Sequence, residues 1–111
     1  MSSAPVLTET RRMNVAPLLG TWLNTNAHSR GITRIDVHEE DGMLRIVTKD
    51  FEATSLPYSI DGFDSQDALA FSTDTGTVRL QANIKGGVLV VAALTRGDVN
   101  LWVREFYYRR S

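Results

Sequence analysis

No cysteine occurs among the 111 residues, which excludes disulfide frameworks, thiolate zinc sites and thiol nucleophiles together. Only two histidines are present, His28 and His38, so no metal site is expected. No apolar run approaches the roughly 20 residues that a membrane helix needs; the longest strongly apolar stretch, Val88 to Leu94, is far shorter. The opening Met-Ser-Ser-Ala-Pro lacks the basic and apolar regions of a secretory signal. These absences predict a soluble protein of the reducing cytoplasm. Neither sign of charge dominates, with 12 basic against 13 acidic residues and a net charge of -1. No basic block is longer than Arg109-Arg110, so nucleic acid is not expected as a partner, and neither is a membrane. Arginine outnumbers lysine ten to two, a skew that fits a GC-rich bacterial genome.

A hydrophobic content of 42% with 23% charged residues is that of a packed globular chain, and its length suits one domain. Residues 1–15 mix Ser, Pro, Thr and alternating charges without a sustained period and are expected to form a flexible N-terminal arm. From residue 16 to 111 a single β-barrel domain is expected, because no helical period of any length occurs. The β-like runs are Gly20–Asn26, Gly31–His38, Leu44–Thr48, Thr54–Ile60 with an interruption at Pro57, Ala68–Ser72, Thr77–Ile84, Val88–Thr95 and Val99–Tyr108. Asp41-Gly42 supplies the dipeptide of a tight hairpin, since both positions tolerate positive φ. Lys85-Gly86-Gly87 and Arg96-Gly97-Asp98 mark further turns. Val88–Thr95 is apolar on both faces, which places it either under an outer cover or in a subunit interface.

Eight sequential strands joined by short turns are best satisfied by an all-β fold, an eight-stranded antiparallel up-and-down meander barrel, which leaves no open edge. Gly20-Thr21-Trp22 resembles the G-x-W triplet that opens the first strand of calycins, the group of lipocalins, fatty-acid-binding proteins and avidins. The resemblance implies that Trp22 packs in one end of the barrel beneath a basic residue of the last strand, for which Arg104 is the match. The avidin pattern is closest from Gly20 to Leu44. Asn24 falls where avidins hold the biotin ureido group, yet Ala27-His28 replaces their Gly-Ser and Trp102 is the only other tryptophan, so biotin is not the implied ligand. Arg104-Glu105-Phe106 is similar to the carboxylate clamp of fatty-acid-binding proteins without its tyrosine hydroxyl.

Alternation along the strands places Trp22, Asn24, Asn26, Thr33, Leu56, Tyr58, Phe71, Trp102, Arg104 and Phe106 among the inward residues. An interior that mixes apolar walls with polar groups is what a small-ligand site requires, because unpartnered polar groups are costly in a filled core. Ligand-binding candidates are therefore Asn24, Asn26, Tyr58, Phe71, Trp102 and Arg104, with Trp22 and Arg104 as closing residues. Asn24 and Asn26 could equally cap the strand end. No nucleophile elbow accompanies Ser29, His28 and Asp36, Glu39-Glu40 sits on a hairpin, and no helix follows Gly86-Gly87 to make a phosphate loop. No cofactor is implied. Three functions remain open: a barrel holding an apolar or amphipathic molecule; a cofactor-free cyclase or isomerase acting in the same cavity, with Asn24, Tyr58 and Arg104 as donors; and a structural or interaction barrel with a filled core. A homodimer through Val88–Leu94 and Trp102–Tyr108 is expected beside them.

Overall fold

A computed structural model describes residues 14–60 and 69–110. A short 3-10 turn, Ala16–Leu18, precedes nine strands: β1 (Gly20–Asn24), β2 (Arg34–Glu40), β3 (Met43–Val47), β4 (Glu52–Ser55), β5 (Tyr58–Ser59), β6 (Leu69–Asp74), β7 (Val78–Lys85), β8 (Val88–Thr95) and β9 (Leu101–Arg109). All neighbours pair antiparallel in one curled sheet of order β4-β3-β2-β1-β9-β8-β7-β6-β5. Residues 1–13 of the expected arm lie outside the described residues, as does Ala68 at the start of the expected fifth strand. Val15, assigned to the arm, is instead buried in the core.

Among the described residues the count is nine strands rather than eight, and the sheet is open rather than closed. Both corrections arise at one place. Successive antiparallel pairings give β4 and β5 the same direction, so the chain from Glu52 to Ser59 is one path that leaves β3 and joins β6. Pro57 offers no N–H and holds Leu56 in an extended conformation, so the ladder stops there. Leu56, expected inside, is 65% exposed at this break. Ser55 partly bridges the gap. Its Oγ accepts the Ser72 N–H at 3.2 Å and donates to the Leu56 carbonyl at 3.0 Å.

Local chemistry explains the tight turns. Asp41 (φ 54°) and Gly42 (φ 82°) are both left-handed between Glu40 and Met43, the geometry that matches the twist of a two-residue hairpin. Gly86 and Gly87 do the same between Lys85 and Val88.

The core fills the concave side of the sheet. Trp22, Ile35, Ile46, Phe71, Leu80 and Tyr107 are each 1% exposed or less, and each such side chain contributes about 1.5–3 kcal/mol by leaving water. In β7 the alternation is strict, with Val78, Leu80, Ala82 and Ile84 buried. In β9 the inward set is Val103, Glu105 and Tyr107, opposite Ala93, Val91 and Leu89 of β8. Trp102, Arg104 and Phe106 therefore point outward, contrary to the sequence expectation. The physical reason is that alternation fixes which residues share a face but not which face is inside. Pairing with the buried set of β8 decides it, against the richer aromatic content of the other face.

Candidate functional site

At one end of the curled sheet, Trp22 closes the core. Its indole Nε1–H donates to the Leu18 carbonyl at 2.9 Å, and the Arg109 guanidinium lies 4.9 Å from the ring centroid. Arg109 is opposite Trp22 in the β1–β9 register and also donates to the Pro17 carbonyl. The closing basic residue is thus Arg109, and the assignment of Arg104 to that role is corrected: Arg104 stands on the other face of the strand, opposite Ala92.

The opposite end is organised by the β1–β2 loop. Asn24 Nδ2 donates to the Ile32 carbonyl at 3.1 Å, and its Oδ1 accepts the Asn26 N–H at 2.8 Å. Asn26 Oδ1 in turn accepts the His28 N–H. Ser29 Oγ accepts the Gly31 N–H and donates to Glu105 Oε1 at 2.6 Å. A Cβ on Gly31 would lie 3.0 Å from that carboxylate oxygen, so a larger residue there would push the Glu105 side chain aside by a few tenths of an ångström. The Tyr107 hydroxyl also donates to the Ile32 carbonyl. Burial, with the Glu105 charge adding to it, pushes the Tyr107 phenol well above its ordinary value, although Asn24 pulls the other way. Of the two sequence readings for Asn24 and Asn26, the geometry here is that of strand-end capping.

The remaining candidates do not converge. Phe71 is wholly buried. Tyr58 pairs with Ala70 and its hydroxyl accepts a bond from Gln81 Nε2 at 3.4 Å, on the outer face. Asn24 belongs to the inner face, while Tyr58 and Arg104 belong to the outer one. The largest inward side chains, including Trp22, Tyr107, Phe71, Leu44 and Leu89, are less than 2% exposed. Side chains lining a void large enough for water would retain accessible surface, so these pack against one another.

The outer face of β7, β8 and β9 is different in kind. Trp102, Phe106 and Tyr108 are 64%, 47% and 49% exposed on one strand, with Arg104 between the first two. Beside them runs the apolar outer row of β8, in which Val90 is opposite Phe106 and Leu94 opposite Trp102. Arg79, Gln81, Asn83 and Lys85 form the next row on β7. Arg79, Gln81, Ala92, Leu94 and Trp102 line a groove of about 220 Å³. A neighbouring groove of about 380 Å³ shares Arg79 and Gln81 and reaches Ser72 and Asp74.

Charge is unevenly distributed between the two halves of the sheet. On β2–β4 the arginines are paired: Arg34 with Asp36 at 3.0 Å, and Arg45 with Glu40 and Glu52 at 3.4 and 2.6 Å. Hydrogen bonds from Thr21 and Arg34 hold the Asp36 carboxyl below its ordinary range, outweighing the burial that would raise it. On the outer face of β6–β9, among the described residues, Asp74 is the one carboxylate, and Arg96 holds it at 3.0 Å. That bond keeps its acidity high. No carboxylate among the described residues lies within ion-pair distance of Arg79, Lys85 or Arg104. Arg79 and Gln81 are not among the sequence candidates, although the clean alternation of β7 is the signal that places them outside, whereas Leu94 belongs to the stretch expected at an interface. Among the described residues no cluster of three metal-ligating side chains occurs. No protein-family model, curated protein or solved structure matches the chain.

Proposed function

We propose that this protein is an interaction barrel, in which the filled interior is the scaffold and the outer face of β7, β8 and β9 is the surface that meets a partner. One contrast carries this reading: the inward side chains are closed to water, while Trp102, Phe106 and Tyr108 stand exposed together on one strand. Exposed aromatics in a row are costly for solubility and are the residue types that dominate binding surfaces. The calycin-like alternative, an apolar or amphipathic molecule inside the barrel, needs space that the packed Trp22, Phe71 and Tyr107 occupy. The cyclase alternative needs Asn24, Tyr58 and Arg104 to reach one substrate, and they lie on opposite faces.

Native mass spectrometry of the purified chain, beside denaturing extraction, tests the reading. The chain is expected to carry no stoichiometric apolar compound. Recovery of one such compound per chain would return the function to the interior. The homodimer expected through Val88–Leu94 and Trp102–Tyr108 uses this same face, and the same spectra report it.

A further inference from the structure

We infer that the partner of this outer face is a single-stranded nucleic acid, an inference that rests on the interaction-barrel reading. Trp102, Arg104, Phe106 and Tyr108 occupy alternate positions of β9, so four flat π groups stand on one face at steps of about 7 Å. Bases stacked in a duplex are about 3.4 Å apart, and an extended single strand is what can spread its bases to such steps. Every base has a π face, and aromatic rings and guanidinium planes both stack on it without regard to sequence. Three cations of β7 and β9 without an ion pair share this face: Arg104 lies within the row, and Arg79, opposite Asp74 in the β6–β7 ladder, and Lys85 lie two strands to one side on β7. They are placed to meet a phosphate backbone that follows β9. Gln81 and Asn83, between Arg79 and Lys85, add amide groups that can bond to sugar or base edges.

Charge also separates this partner from a second copy of the chain. In a two-fold contact centred on the aromatic row, between Arg104 and Phe106, two copies of Arg104 would be buried close together, each over the other copy's Phe106, with no carboxylate of that row to meet them. The one carboxylate among the described residues of that face, Asp74, is already held by Arg96. Burying like charges without counter-charges is unfavourable, whereas an anionic chain supplies a counter-charge at every nucleotide. The near-neutral total charge of the protein conceals this, because six of the nine carboxylates among the described residues are on or beside β2–β4, away from the aromatic strand.

The test is fluorescence anisotropy of labelled oligo(dT) titrated with the native chain and with Trp102→Ala, Phe106→Ala and Arg104→Gln, all at exposed positions. Circular dichroism of each variant confirms the fold. Binding is expected for the native chain, weakened about 5- to 150-fold by loss of either aromatic ring. Neutralising three phosphates predicts a slope of log affinity on log salt of about -2, made shallower by about 0.7 in Arg104→Gln. Binding that ignores both aromatic substitutions, or that heparin matches with the same indifference, would overturn the inference, since charge alone would then account for it. No binding, together with a dimer that Trp102→Asp dissociates, would overturn the nucleic-acid partner while leaving the outer-face reading intact. No binding together with an apolar compound held beside Trp22 would overturn both.

Discussion

The Arg109 guanidinium lies over the Trp22 ring at 4.9 Å, so the last strand and the first are joined by a cation–π contact as well as by their ladder. The same arginine donates to the Pro17 carbonyl and ties the 3-10 turn to that end of the sheet. Such a contact is worth about 0.5–2 kcal/mol, depending on how far water is excluded. Arg109→Ala is expected to lower the unfolding free energy by about 1–2 kcal/mol, whereas Arg104→Ala leaves it within about 0.5 kcal/mol. Urea denaturation of the two variants compares them directly, and equal losses would remove the special role of Arg109.

Tyr107 makes the fold sensitive to alkali. Its phenol is held neutral by burial, with a folded pKa above the unfolded value of about 10. A raised pKa contributes stability that is complete below the unfolded value and is lost as pH rises toward the folded one. Denaturation midpoints should therefore fall above about pH 10. Tyr107→Phe should flatten that fall while costing about 1–2 kcal/mol at neutral pH, because the Ile32 carbonyl loses a donor.

Asp36 acts at the other end of the pH scale. Its carboxylate accepts the Thr21 hydroxyl at 2.6 Å and an Arg34 contact at 3.0 Å, and its pKa is depressed. The contribution is present above the unfolded value of about 3.9 and is lost as pH falls through the lower folded value. Asp36→Asn should be less stable than the native chain by about 1 kcal/mol at neutral pH, most of it from the Thr21 bond, since the Arg34 side chain is half exposed. The gap should close below about pH 4. A constant gap across that range would show that the charge plays no part.

Ser55 stands in for a missing rung between β4 and β6. Ser55→Ala leaves the Ser72 N–H without its acceptor and should cost about 1–3 kcal/mol. Hydrogen exchange should show Ser72 among the amides that lose protection, with β7 and β8 unchanged. An unaltered Ser72 rate would mean that the gap is held by packing alone.

Much of the sheet was legible because its signals are local. The hairpin at Asp41-Gly42, the break at Pro57 and the strict alternation of Val78, Leu80, Ala82 and Ile84 each depend on a few adjacent residues. What the sequence could not convey depends on pairing at a distance. The β9 strand carries apolar residues on both faces, and only its register with Leu89, Val91 and Ala93 turns Tyr107 inward and Trp102 outward. The same half-turn removes Arg104 from the inner end of the curled sheet and puts Arg109 there. Pro57 marks an interruption by its own chemistry, but that it opens the sheet follows from β4 and β5 joining different neighbours. Net charge, a whole-chain quantity, could not reveal that carboxylates gather on one half of the sheet and unpaired arginines on the other.

The two tryptophans report separately on the two places where a partner could bind, since Trp22 is 1% exposed and Trp102 is 64% exposed. Their indole N–H signals in a proton–nitrogen correlation spectrum of the native chain, assigned with Trp102→Phe, give the most direct test of an outer working face. On addition of oligo(dT) the Trp102 signal should move while the Trp22 signal stays, and a panel of fatty acids and polyketide-like molecules should move neither. A shift of Trp22 by any apolar compound, with Trp102 unmoved throughout, would contradict the account and place the function on the inner face of the sheet.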